Sequence, residues 1–364
     1  MIESKILNSA ERASVILRSL YGRYGYQPFK MMKFEEYDLY ATNKDFLVSD
    51  NVITFNDTDG RLLAMKPDVT LSIIKNFSYE PGCKKKVYYN ENVYRVSGKV
   101  HRFKEIMQAG LECMGDIDTL DIYEVIELAA KSLEYLSDDF VIDLSHLGIL
   151  SRVLDGACRE IGFKKEAALL LGEKNRHEIS ALCKRYSVSD EYTEIIEKLV
   201  SLYGAADEVL PKLLPICESV GAMDSYSELS GLISLLSRSE AKDKIRIDFS
   251  LVNDMNYYNG VVFKGFLPGI AEGVLSGGEY GTLMRRMGKA AGAVGFAIYL
   301  DTLEDLYVSS REYDVDVLIV YSEKTDTGAL ISKRNELIDK GLSVSLQRGV
   351  PKSLRYKEII KMDR

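Results

Sequence analysis

The sequence predicts a mixed α+β protein in which an antiparallel sheet is backed by helices. Three observations carry this prediction: runs with strand periodicity joined in pairs by turn residues, a long stretch rich in Leu, Ala, Glu and Lys with almost no β-branched alternation, and helical spacing of apolar residues near the start. At 364 residues and 46% hydrophobic content, the chain is long enough for one large core plus one or two smaller modules.

Taken in order, Ile6, Ala10, Ala13, Leu17 and Leu20 recur at three- and four-residue spacing, so residues 5 to 21 are expected to form an amphipathic helix. The segment VITFNDTDGRLLAM reads as a hairpin, because two alternating runs meet at Asn56, Asp57, Thr58, Asp59 and Gly60, which tolerate left-handed turn geometry. Two further strand pairs follow. In VYRVSGKVHRFKEIMQAGLECMG, Gly98 marks the loop and residues 104 to 114 form the second strand. RIDFSLV is expected to pair with YYNGVVFKGF, which runs on into the glycine-rich GVLSGGEYG. Residues about 151 to 240 have the composition of a helical insertion. Residues 293 to 307 read as a helix closing the sheet, with Phe296, Leu300, Leu303 and Tyr307 on one side. After the charged break at Arg311 and Glu312, YDVDVLIVY is a buried strand, followed by a helix over about residues 327 to 340 and a strand LSVSL. The organisation is therefore a core of residues 1 to 310 with a small α/β module of residues 311 to 364, a piece too small to be expected to fold apart from its neighbour.

Composition narrows the function. A net charge of -8 and a pI near 5.3 lack the basic footprint of a nucleic-acid binder, so tRNA is not an expected partner. The five cysteines are scattered and never two residues apart, and none of the three histidines forms a helical pair; the thiols are read as reduced and structural, and no metal site is expected. No apolar stretch approaches the roughly 20 residues that span a bilayer, and Glu3 and Glu11 fall where a signal peptide needs an apolar core. The expected location is the cytoplasm. No Walker-type or dinucleotide-type glycine loop is present, and no cofactor is expected.

Chemistry concentrates on one strand. Gln108, Gly110 and Glu112 point one way while Met107, Ala109, Leu111 and Cys113 point the other. Such a strand is either half-exposed, with polar residues in water, or a ligand floor where a glycine lets a small molecule approach the backbone. LAMKPDVTLS adds Asp68 and Thr70, a carboxylate and a hydroxyl that can receive an ammonium group or simply cap a helix. Tyr257, Tyr258 and Tyr280 stand near glycines, as ligand-facing aromatics or as ordinary core.

In this order the segments resemble histidyl-tRNA synthetase and its paralogues. MKPDVT resembles that family's Leu-Arg-Pro-Glu-x-Thr. VYRVSGKVHRFKEIMQAGLECMG resembles class II motif 2, with Arg95, Arg102, Gln108, Gly110, Glu112 and Gly115 in place. LVNDMNYYNGVVF resembles the second histidine signature, SGGEYGTLMRRMG the Gly-Gly-Arg-Tyr-Asp segment, and GAVGFAIYLDTLEDL motif 3. The resemblance covers most of residues 1 to 310. It implies a six-stranded antiparallel sheet flanked by helices, a dimer through the first helix and adjoining strand, and an amino-acid (histidine) pocket at Asp68, Thr70, Gln108, Glu112, Tyr257, Tyr258 and Tyr280.

The nucleotide side departs from the family pattern. Where the synthetase reads Val-Arg-Gly-Leu-Asp-Tyr-Tyr, this chain has Asn253 for the arginine and Asp254 beside it. Where motif 3 ends Leu-Glu-Arg-Leu, Thr302 replaces the arginine, and Tyr299 replaces a glycine. Glu279 and Gly281 replace the Arg and Asp around Tyr280. Adenylation depends on preorganised cationic donors, and losing one commonly costs on the order of a hundred- to a thousandfold. A synthetase-like chain with a kept pocket, lost arginines and a short C-terminal module resembles the regulatory subunit of ATP phosphoribosyltransferase. That resemblance implies no catalytic residues, a short-form catalytic transferase as partner, a homodimer within a hetero-oligomer, and feedback by histidine. A working histidyl-tRNA synthetase and a stand-alone amino-acid sensor are the alternative readings.

Overall fold

The computed structural model describes residues 9 to 47, 52 to 96, 103 to 252, 257 to 303 and 312 to 362. The chain opens with α1 (Ser9–Arg23), whose Ala10, Ala13, Leu17 and Leu20 are buried as their spacing predicts. There follow β1 (Gln27–Pro28), β2 (Phe34–Glu36), α2 (Tyr37–Thr42), β3 (Thr54–Asn56), β4 (Leu62–Met65) and α3 (Thr70–Lys75). Two long strands, β5 (Lys84–Val96) and β6 (Phe103–Gly115), lead into α4 (Thr119–Glu134) and β7 (Val141–His146). The helical insertion comprises α5 (Leu147–Ala157), α6 (Ile161–Gly172), α7 (Arg176–Arg185), α8 (Asp190–Ser201), the two-residue β8 (Tyr203–Gly204), α9 (Ala206–Val220) and α10 (Met223–Leu236). The sheet resumes with β9 (Ile245–Asp248), β10 (Val261–Phe266), β11 (Leu275–Glu279), the short α11 (Gly281–Arg286) and β12 (Gly292–Tyr299).

The main sheet has the order β1-β5-β6-β12-β11-β10-β7-β9-β8. Six consecutive strands, from β5 to β7, are antiparallel to one another, and β1 and β9 join the two ends of this set in parallel. Both edges end in two-residue strands, which leave little unpaired backbone for another chain to pair with. The hairpin at residues 52 to 65 forms as the turn residues require: the Asp57 Oδ1 accepts from the Asp59 and Arg61 backbone N–H groups at 2.9 and 2.8 Å, and Gly60 has φ +80°. It builds a separate three-stranded sheet, β2-β4-β3.

One face of the main sheet is the core. Ala109, Leu111 and Cys113 of β6, with Phe263 and Phe296, pack against Leu17 and Tyr21 of α1 and Val125, Leu128 and Leu133 of α4, and apolar residues of the insertion join the same cluster. The α4 start is held by reciprocal bonds between Asp118 and Asp121. With this face filled, the alternate residues of the same strands turn to the other side, where the site lies.

Two expectations are corrected. Residues 293 to 307 are not a helix closing the sheet; they supply β12, between β6 and β11, and a 3-10 turn Leu300–Leu303, while Tyr307 lies outside the described residues. A strand buried on both faces shows a continuous apolar run, which periodicity cannot tell from a short buried helix. RIDFSLV and YYNGVVFKGF do not pair with each other: β7 lies between them, antiparallel to β10 and parallel to β9. The insertion also begins earlier than its composition suggested, at Leu147.

Residues Met1–Leu306 and Tyr307–Arg364 form two compact units. In the second, β13 (Val315–Tyr321) is the centre of a parallel sheet, with β14 (Val344–Gln347) and the unanticipated β15 (Tyr356–Met362) on its flanks. The helix α12 (Thr327–Asp339) seats Leu330 and Leu337 with Val317 and Ile319. Among the described residues, no helix is long and apolar enough to cross a membrane. All five cysteines are free; Cys113, Cys183 and Cys217 are buried, whereas Cys83 is exposed.

Leu144 of β7 is fully buried, and Leu144→Ala is expected to lose about 2–5 kcal/mol of stability by removing packed atoms and leaving a cavity. Leu120→Ala, at a position 64% exposed, is expected to change stability by no more than about 0.5 kcal/mol. Thermal melts of the two variants check this, and equal shifts would remove β7 from the core.

Candidate functional site

The sheet face opposite α1 and α4 carries a cavity of about 570 Å³. Asp68, Thr70, Gln108, Glu112, Tyr257, Tyr258 and Tyr280 all line it, together with Arg95 and Thr302. Arg102 and Asn253 lie outside the described residues.

The floor follows from the alternation of β6. Gln108 and Glu112 turn into the cavity yet are only 4% and 2% exposed, so the strand is a buried floor and not a solvated face. Gly110 between them is required by crowding: a Cβ there would meet the Phe296 carbonyl at 2.3 Å and the Tyr89 hydroxyl at 2.5 Å. Gly295 of β12 stands opposite Glu112, and a Cβ there would fall 1.8 Å from its Oε2. Gly295 and Tyr89 were not anticipated. An isolated glycine inside a strand marks such a close approach, but the signal was hidden by the helical reading of residues 293 to 307.

The Glu112 carboxylate joins three elements. Its Oε1 accepts from the Thr70 hydroxyl at 2.7 Å, at the start of α3, and its Oε2 from the Tyr280 hydroxyl at 2.6 Å, just before α11. Burial pushes its pKa up to about 8; the two hydroxyl donors oppose the rise and the nearby Asp68 adds to it. Asp68 is likewise raised by burial, offset by the Leu71 backbone N–H, which donates to it at 2.9 Å, and by the Arg95 guanidinium. Burial also holds the hydroxyls of Tyr89, Tyr257 and Tyr280 well above the usual phenol range, so they remain neutral donors. Tyr257 packs edge-on to Tyr258 at 4.7 Å between centroids, and its ring lies 5.9 Å from that of Tyr280, which makes an aromatic wall. An aromatic wall beside one buried and one half-buried carboxyl group suits a small ligand that carries hydrogen-bond donors.

The far side of the cavity is differently furnished. The Thr302 hydroxyl donates to the Tyr299 carbonyl at 2.6 Å, and Lys104 pairs with Asp301 at 2.8 Å; Arg95, next to Asp68, donates from Nε to the Pro67 carbonyl at 3.0 Å. Glu279 does not line the cavity; its carboxylate accepts from the Val261 backbone N–H at 2.7 Å.

The raised Glu112 pKa has a sign in stability. The folded chain holds this proton between about 4.5 and about 8, where the unfolded chain releases it, so the contribution is fully present below that window and is lost as pH rises through it. Asp143, raised by burial to about 6, acts the same way in the lower part. The melting temperature is expected to fall from about pH 5 to about pH 9, and Glu112→Gln to flatten the upper part of that fall. An unchanged profile in the variant would place the titrating group elsewhere.

A family model for histidyl-tRNA synthetase matches residues 5–303. The chain is 28% identical over 335 residues to an ATP phosphoribosyltransferase regulatory subunit of Oceanobacillus iheyensis, covering 89% of this chain and 82% of that one. It is 30% identical over 299 residues to a protein of the same name from Caldanaerobacter subterraneus subsp. tengcongensis, covering 78% of this chain and 75% of the relative. Among solved structures, an ATP phosphoribosyltransferase regulatory subunit/histidyl-tRNA synthetase from Bacillus halodurans superposes with a TM-score of 0.77 at 23% identity, over 98% of this chain and 94% of that one. A chain of the ATP phosphoribosyl transferase (HisG:HisZ) complex from Thermotoga maritima gives 0.61 at 21% identity, over 80% and 97%. At these identities the structures speak for the fold alone. With the model matched over most of its length and relatives of one name aligned along it, the chain belongs to the histidyl-tRNA synthetase family, among its ATP phosphoribosyltransferase regulatory subunits.

Proposed function

We propose that the chain is a non-catalytic regulatory subunit of ATP phosphoribosyltransferase, required for that enzyme's activity and for histidine feedback in the first step of L-histidine biosynthesis. It would work in the cytoplasm, as a homodimer within a hetero-oligomer that contains the short-form catalytic subunit. The carrying observation is the contrast inside one cavity: buried acids and tyrosines furnish one side, while position 302 on the other side is a threonine bonded back to its own turn. A ligand that fits the first side can be held there without being activated, because transfer to a phosphoryl centre needs cationic donors aimed at it. Held histidine then acts as a signal if it binds two assembly states with different affinity. In support, the relatives aligned along the chain carry the name of this subunit. The loss of aminoacylation is part of this reading. Arg95, still in the cavity wall, favours a synthetase, and histidine-dependent exchange between ATP and pyrophosphate would decide for it.

Mixing the pure chain with a short-form transferase is expected to restore phosphoribosyl transfer, and added histidine to suppress it. A transferase equally active without the chain would refute the role. Calorimetry is expected to show that Glu112→Ala or Gln108→Ala abolishes histidine binding while the fold persists; undiminished affinity in both would refute the placement of the ligand.

A further inference from the structure

An amino acid enters the cavity as a zwitterion, and its carboxylate needs a cation if it is to leave water without a large penalty. Among the described residues, three cations line the cavity: Arg95, Lys104 and Lys264. Arg95 donates from Nε to the Pro67 carbonyl and offsets the charge of the neighbouring Asp68, and Lys104 is paired with Asp301. Lys264 has no carboxylate or hydrogen-bond partner among the described residues; its ammonium lies 5.8 Å from the centroid of the Phe266 ring.

Its placement is equally specific. The register runs Lys264, Ser276, Ala297, Gly110 across β10, β11, β12 and β6, a single row that ends on the glycine between Gln108 and Glu112. Three strand spacings separate the ends, about 14 Å, and the lysine stem lies along β10, past Gly273 toward Phe266; turned across the row by a rotamer change, an extended stem covers nearly half of that span. The remainder suits a small amino acid lying across the floor with its side chain toward Glu112. Gly273 keeps the lysine's course open, because a Cβ there would come 2.2 Å from Lys264 Cε.

We propose that Lys264 receives the α-carboxylate of the bound amino acid, with the Ser276 hydroxyl beside it on the neighbouring strand as a second donor. This rests on the reading of the cavity as an amino-acid site. It assigns the two ends of the ligand to opposite ends of one register row.

The test is calorimetry on the full chain with histidine and with histamine, which keeps the imidazole and amine but lacks the carboxylate. Wild type is expected to bind histidine more tightly than histamine. Lys264→Gln should weaken histidine roughly tenfold to a hundredfold and leave histamine unchanged, while Lys264→Arg keeps most of the histidine affinity. Wild-type histidine affinity in Lys264→Gln, or equal loss for both ligands, would overturn the assignment of Lys264 alone. Failure of the wild type to bind either ligand would overturn the amino-acid reading and this assignment with it.

Discussion

The structure turns on one buried carboxyl group. Glu112 sits on a central strand at 2% exposure, and removing it from water is tolerable only because the Thr70 and Tyr280 hydroxyls donate to its two oxygens. Those donors come from the start of α3 and the residue before α11, so satisfying one group fixes two loops against the sheet. The same group dictates a glycine at position 295, where any side chain would occupy the volume of its Oε2. The β6 floor, the start of α3 and the Tyr280 part of the wall are thus held in a single hydrogen-bonded arrangement.

The charges around it divide the cavity into two chemistries. Near Glu112 the polar groups are hydroxyls and carboxyl groups pushed toward their neutral forms by burial, an environment that accepts donors cheaply. On the far side Lys104 is neutralised by Asp301, and the Thr302 hydroxyl bonds to Tyr299, so neither is free for a polyanion. Under the proposed function, a fold shared with enzymes that join an amino acid to a nucleotide would serve recognition without bond-making, and its binding energy would be available for coupling to a partner.

Much of this was legible in the residues. The hairpin around Gly60 and the two-faced β6 announce themselves, because turn chemistry and period-two alternation are local signals. The lining residues Asp68, Thr70, Tyr257, Tyr258 and Tyr280 come from segments far apart in the chain, and the order of the motifs, not any single pattern, linked them. What escaped is long-range. β12 looks like a helix because both its faces are buried, and with it went Gly295; β7 separates two strands whose sequences look like natural partners. Lys264 carries no signal of its own, since a lysine on a strand is ordinarily a solvated residue, and only the register across four strands gives it meaning.

The central claim is that the cavity recognises an amino acid and has given up the triphosphate. Side-by-side calorimetric titration of the pure chain with histidine and with Mg-ATP measures this directly. Binding of histidine with no detectable heat from Mg-ATP is the predicted result; saturable Mg-ATP binding that strengthens when histidine is present would contradict the account.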